Sequence, residues 1–180
     1  MKELNLGVCR MDWRDEYEGI ITWDLPGTDL SLYPVLELSE NARAILTPQY
    51  LDNTGKSERD LFLEAFESME EKSECLLISD MLGYPMHCPM VIVTNAAKHH
   101  GAGAIASVKI MEQAREMLGA DEIYVIPSSI HEVICIPVVK ECPLDDMCDF
   151  IKDINASFVP PNERLSDHPY IYDGEKFRTP

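Results

Sequence analysis

The chain has 180 residues, 46% hydrophobic and 26% charged, with 32 acidic against 15 basic side chains and a formal net charge of −17. Such a chain can bury about 70% of its unfolded surface in one core, which excludes a wholly disordered protein. The negative charge is spread over both halves. It repels phosphate backbones and anionic lipid, excluding direct nucleic-acid or membrane-surface binding and leaving a basic partner or plain solubility as its use.

The first residues hold no apolar run of signal-peptide length, and no segment approaches the ~20 apolar residues that span a bilayer, so a cytoplasmic location is expected. Residues 1–29 are polar and broken by Gly19, Pro26 and Gly27, with a short strand predicted at 19–23. Residues 30–38 predict a strand in which Pro34 marks an edge or a bulge. Residues 42–46 supply its antiparallel partner, and Thr47 then caps a helical turn with Pro48 in first position.

Ser57 and Asp60 form a capping signal ahead of Leu61, Leu63, Ala65, Phe66 and Met69, predicting a helix that ends near residues 70–72. Residues 76–78 read as strand or helical turn, and 81–89 as a loop. The β-branched run at 90–94 is too short for a helix and predicts a strand. Ser107 is a fitting N-cap for a helix over 108–118, with Val108, Met111, Ala114 or Arg115, and Leu118 at helical spacing and Gly119 just past its end. Residues 122–126 and 133–139 predict two strands joined by a bend, Pro127-Ser128-Ser129-Ile130-His131-Glu132. A last helix starts at Pro143, with Leu144, Met147, Ile151 and Ile154 on one side. The Asp173-Gly174 pair signals a tight hairpin across 170–177.

Short strands interleaved with three helices define an α+β fold: a mostly antiparallel sheet of about five to seven short strands, covered on one face by three helices, in a single domain over 1–180. The six cysteines, Cys9, Cys75, Cys88, Cys135, Cys142 and Cys148, contain no C-x-x-C pair and are expected as free thiols in a reducing compartment.

Several words of this sequence occur together in one known order. They are Ile92-Val93-Thr94-Asn95, Gly101-Ala102-Gly103-Ala104, the stretch Tyr124-Val125-Ile126-Pro127-Ser128-Ser129-Ile130-His131-Glu132-Val133, and Leu165-Ser166-Asp167 followed by Tyr170 and Tyr172. In these words the chain resembles the bacterial family called domain of unknown function 5688, from about residue 30 to about 173. The Pro-Ser-Ser-Ile-His-Glu-Val word is the specific one. The resemblance leaves 1–29 as a weakly matched N-terminal segment, where relatives carry a longer helical region; within the single domain, 160–180 is expected as a C-terminal extension. It implies a soluble protein of anaerobic, often gut-dwelling bacteria, and it implies no activity.

The bend crowds Ser128, Ser129, His131 and Glu132 together, and these are the candidate catalytic residues. A serine two residues from a histidine can serve as nucleophile and base, given an orienting third group and an oxyanion hole. No G-x-S-x-G elbow is present, and the simpler reading is a turn whose hydroxyls accept backbone N–H groups. Asn95, Gly101 and Asp167 are candidate ligand-binding residues. His87, Cys88, His99 and His100 flank one strand, match no common zinc spacing, and point apart if extended, so no metal is expected. Gly101-Ala102-Gly103 lacks the third glycine of a dinucleotide fingerprint and the lysine of a P-loop, so no cofactor is expected and close packing accounts for the small residues. The acidic clusters read as solvated helix faces.

The leading functional expectation is a non-catalytic cytoplasmic domain that binds a protein or small molecule through the 127–133 bend. One alternative is a hydrolase or transferase using Ser128 or Ser129 with His131, supported by Glu132 or Asp167. Another is an acidic decoy for a nucleic-acid-binding protein.

Overall fold

The computed structural model describes residues 3–13, 19–39, 42–139 and 144–179. Its strands form two antiparallel sheets rather than one. The first contains β1 (Glu3–Arg10), β2 (Trp23–Asp24), β3 (Leu30–Ser39) and β4 (Ala42–Ile45), with β1 on one side of β3 and both β2 and β4 on the other. β1 pairs with β3 along its whole length, from Glu3 opposite Glu37 to Arg10 opposite Leu30. Leu4, Leu6 and Val8 alternate into the core, the period-two signature of a strand. The sequence reading assigns no element there; its expected strand at 19–23 shrinks to β2. Pro34 sits in the interior of β3, at a point its missing donor explains. The Pro34 carbonyl accepts the Leu46 N–H at 3.3 Å, so the absent N–H faces the side where pairing with β4 has stopped at Val35 opposite Ile45.

Helix α1 (Pro48–Thr54) follows, then α2 (Glu58–Lys72), whose Ser57 cap accepts the Asp60 N–H at 3.1 Å. α2 buries Leu61, Phe62, Ala65 and Met69, while Leu63 faces outward. The Trp23 indole stacks on Phe62 with ring centroids 4.1 Å apart.

The second sheet is built from β5 (Ser73–Leu77), β6 (Val91–Asn95), β7 (Ile123–Ile126), β8 (Val133–Pro137), β9 (Tyr170–Tyr172) and β10 (Phe177–Arg178), in spatial order β10-β9-β7-β8-β6-β5. Short α3 (Ile78–Leu82) follows β5, and a 3₁₀ turn (Ala102–Ala106) leads into α4 (Val108–Leu118). α4 buries Ile110, Met111, Ala114 and Leu118, whereas Val108 is exposed. α5 (Leu144–Phe158) packs Met147 and Ile151 with Tyr124 and Ile171 in a second, smaller apolar cluster. The expectation of helices on one face is thus corrected: α4 and the first sheet's core lie against one face of this sheet, and α5 covers the other. Pro143, read as the start of α5, lies outside the described residues.

The 3₁₀ turn joins the two sheets. A Cβ at Gly103 would overlap the Leu6 carbonyl oxygen of β1, so glycine lets the turn seat against the strand. Leu6 and Val8 of β1 and Val91 and Val93 of β6 belong to one continuous core. No described helix is long and apolar enough to cross a membrane. Cys75, Cys88, Cys135 and Cys148 are free thiols; Cys135 is fully buried in β8, where burial pushes its thiol far above the ordinary range and keeps it protonated. Cys142 lies outside the described residues.

Candidate functional site

Register brings the site together. β6 and β8 are antiparallel, with Val93 opposite Val133, so the chain leaving β6 runs alongside the bend that enters β8. Three contacts hold the two segments: the His131 carbonyl accepts the Gly101 N–H at 2.9 Å and the Thr94 hydroxyl at 2.9 Å, and the Ile130 carbonyl accepts the Ala102 N–H at 3.2 Å. Gly101 has no room for a side chain, because its Cβ position is filled by Thr94 and Asn95. The candidate ligand-binding glycine is therefore a backbone packing position with its N–H engaged. On the other side of the bend, residues 161–166 pair with it through Ile130 N–H to the Glu163 carbonyl (2.9 Å), Leu165 N–H to Ser128 (3.3 Å) and Ser166 N–H to Pro127 (3.1 Å).

The loop after β6 is a turn, not extended chain. Lys98 and His100 both have left-handed backbone, with φ of 52° and 53°. Asn95 locks the turn: its Nδ2 donates to the His99 carbonyl at 3.0 Å and its Oδ1 accepts the His99 N–H at 3.3 Å. The expectation that His99 and His100 point apart fails for this reason. Their rings meet edge to face with centroids 4.2 Å apart, and His131 lies 4.7 Å from His99 and 5.1 Å from His100. One ligand atom from each of these three histidines falls within 4.8 Å of the other two. His87 and Cys88 are exposed at the opposite end of β6 and do not join them.

His131 is held at both ring nitrogens. Nδ1 accepts the His100 N–H at 3.1 Å, and Nε2 lies 3.2 Å from a Glu163 carboxylate oxygen. The accepting Nδ1 is bare, which leaves the ring proton on Nε2, the nitrogen nearest Glu163. The carboxylate beside His131 is therefore Glu163, which the sequence reading did not single out. Asp167 instead accepts the Asn155 amide at 2.8 Å, and Glu132 makes no hydrogen bond or ion pair among the described residues. Ser129 is buried, and its hydroxyl accepts the His131 backbone N–H at 3.2 Å rather than meeting the imidazole. Ser128 lines an apolar groove of about 340 Å³ with Met90, Ile134, Met147 and Phe150, against α5. The tip thus presents an imidazole without the two hydroxyls expected beside it.

Burial lowers the affinity of both neighbouring histidines for protons, with the other imidazoles and Arg43 adding to it. His99 falls below its ordinary value, and His100 drops to about 4. No hydrogen bond among the described residues reaches the ring nitrogens of either. Arg43 lies beside the loop, 3.5 Å from the His99 carbonyl, with its charge matched by Glu37 at 2.9 Å. A cleft of about 330 Å³ opens next to His99, bounded by Glu37, Ser39, Arg43 and Ala97.

A family model described as a family of unknown function (DUF5688) matches residues 29–174, and the chain belongs to that family. The match covers the bend, the histidine loop and Glu163 but leaves β1 outside. Comparison with curated proteins and with solved structures finds no match.

Proposed function

We propose that this is a bacterial cytoplasmic binding domain whose contact face is formed by three loops, residues 96–100, 129–132 and 161–164. The observation that carries the reading is the convergence of the His99, His100 and His131 rings within one small patch. Among the described residues no hydrogen bond reaches the nitrogens of two of these rings, and burial disfavours their protonation, so they offer lone pairs and N–H donors. Its ligand is a small molecule or a protein side chain that complements them, not a nucleic acid, which the charge of −17 repels. Free cysteines are consistent with a reducing compartment. Serine–histidine chemistry gains no support, since the Ser129 hydroxyl is engaged by backbone and Ser128 lies across the sheet.

The test uses the histidines as reporters. The chain has five, His87, His99, His100, His131 and His168. Protein labelled at histidine and freed of metal with EDTA is screened by NMR against small hydrogen-bonding fragments such as phenols and amidines. Bound fragments are expected to move the His99, His100 and His131 ring signals, with the effect lost in His131→Ala. Fragments that move only His87 or His168 would overturn the reading.

A further inference from the structure

We infer that His99, His100 and His131 together bind one divalent late first-row metal ion, with Zn²⁺ the type case, and that Glu163 braces His131 for it. This rests on the binding-face reading above and names the ligand class for the same site.

Imidazole nitrogen is the ligand that late first-row divalent ions take readily, and three imidazoles with an open fourth position form an established type of zinc coordination. The three rings come from two chain segments, so the cluster is a product of tertiary register and not of one histidine-rich run. His131 already has the arrangement that a metal-ligating histidine needs. Its Nε2 lies 3.2 Å from a Glu163 carboxylate oxygen, a neighbour placed to orient the ring and fix its tautomer. The bare Nδ1 faces the His99–His100 turn, because it receives the His100 N–H from there at 3.1 Å.

Binding has an identifiable cost. The ion must take the Nδ1 lone pair from the His100 N–H, which turns toward solvent. The ligand atoms, now up to 4.8 Å apart, must also close to about 3.4 Å, the edge of a tetrahedron with metal–nitrogen bonds of about 2.1 Å. His99 is exposed, and no hydrogen bond from the described residues holds its ring, so it can make most of that movement. Electrostatics assists: the net charge of −17 draws divalent cations to the surface, and Glu37 offsets the nearby Arg43 guanidinium.

The experiment adds Co²⁺ and Zn²⁺ separately to EDTA-stripped full-length protein. One equivalent of Co²⁺ is expected to develop visible d–d absorption, and Zn²⁺ to shift the His99, His100 and His131 ring signals before those of His87 and His168. His131→Ala and His99→Ala should each weaken binding by about 100-fold or more, and Glu163→Gln by about 10-fold, with circular dichroism unchanged. His99→Ala keeps the test decisive should loss of the His131 ring disturb the bend. Zn²⁺ that first moves His87, or affinity indifferent to both histidine variants, overturns the inference; equal affinity in Glu163→Gln overturns the bracing role. If fragments still shift these three histidines while neither metal does, the metal inference falls and the binding-face reading stands. If neither fragments nor metals shift them, both fall.

Discussion

A side chain in this molecule takes its role from the partner that reaches it. Ser129 has the hydroxyl of a nucleophile, yet a backbone N–H two residues on holds it in a turn. Glu37 shows the same dependence among charges. It accepts the Asn5 amide at 2.8 Å, pairs with Arg43 at 2.9 Å and lies 3.5 Å from Lys72. Partial burial raises the cost of its charge, but the Asn5 hydrogen bond and the Lys72 and Arg43 cations outweigh that and hold its carboxyl below the ordinary value of 4.5. The unfolded chain therefore takes up this proton before the folded one does. The stabilisation is complete above the unfolded range and is lost as pH falls through the folded value. Glu37→Gln is expected to cost about 1 kcal/mol at pH 7, with the gap to wild type narrowing toward pH 3. Urea unfolding at the two pH values checks this, and a gap independent of pH contradicts it.

Among the elements, α4 depends most visibly on one residue. Ser107 is fully buried; its hydroxyl accepts the Ile110 N–H at 3.2 Å and donates to Glu70 of α2 at 2.5 Å. One atom thus caps a helix and ties it to another. Ser107→Ala removes the cap and leaves the Glu70 carboxylate short of a donor, so a loss of about 2 kcal/mol is expected by thermal or urea unfolding. A loss under about 0.5 kcal/mol, the range of ordinary surface changes, would show that solvent replaces the cap. β1 illustrates a different point. Its period-two pattern of Leu4, Leu6 and Val8 is present in the sequence, but only three apolar positions carry it, and the polar residues that follow mask it.

At the scale of the molecule, the two sheets share one core. Leu4, Leu6 and Val8 from β1 share a core with residues of the second sheet, and Gly103 seats the 3₁₀ turn on the β1 backbone. A fragment limited to residues 29–174, the span of the family match, would strip β3 of its full-length partner and open that core. It would also expose a long strand edge, a known template for aggregation. The fragment is expected to lack a cooperative thermal transition and to associate in gel filtration. A monomeric, cooperatively melting fragment would show that β1 is dispensable.

Much of this architecture is local chemistry, and local chemistry is legible in a sequence. The Ser57 and Ser107 caps, Gly119 past α4, the 123–137 hairpin and the turn at Asp173-Gly174 all follow from interactions within a few residues. The family resemblance rests on the same kind of local words and is shown by the family match. The division into two sheets, α5 on the far face and the identity of the carboxylate at His131 depend on which strands pair and in what register. Antiparallel pairing of β6 with β8 would have put residues after 93 opposite those before 133, so His131 was within reach of inference once that pairing was assumed. Glu163 was not, because it arrives through a segment some thirty residues on. Spacing along the chain sets what each segment can form; only long-range pairing sets which side chains become neighbours, and chemistry follows neighbours.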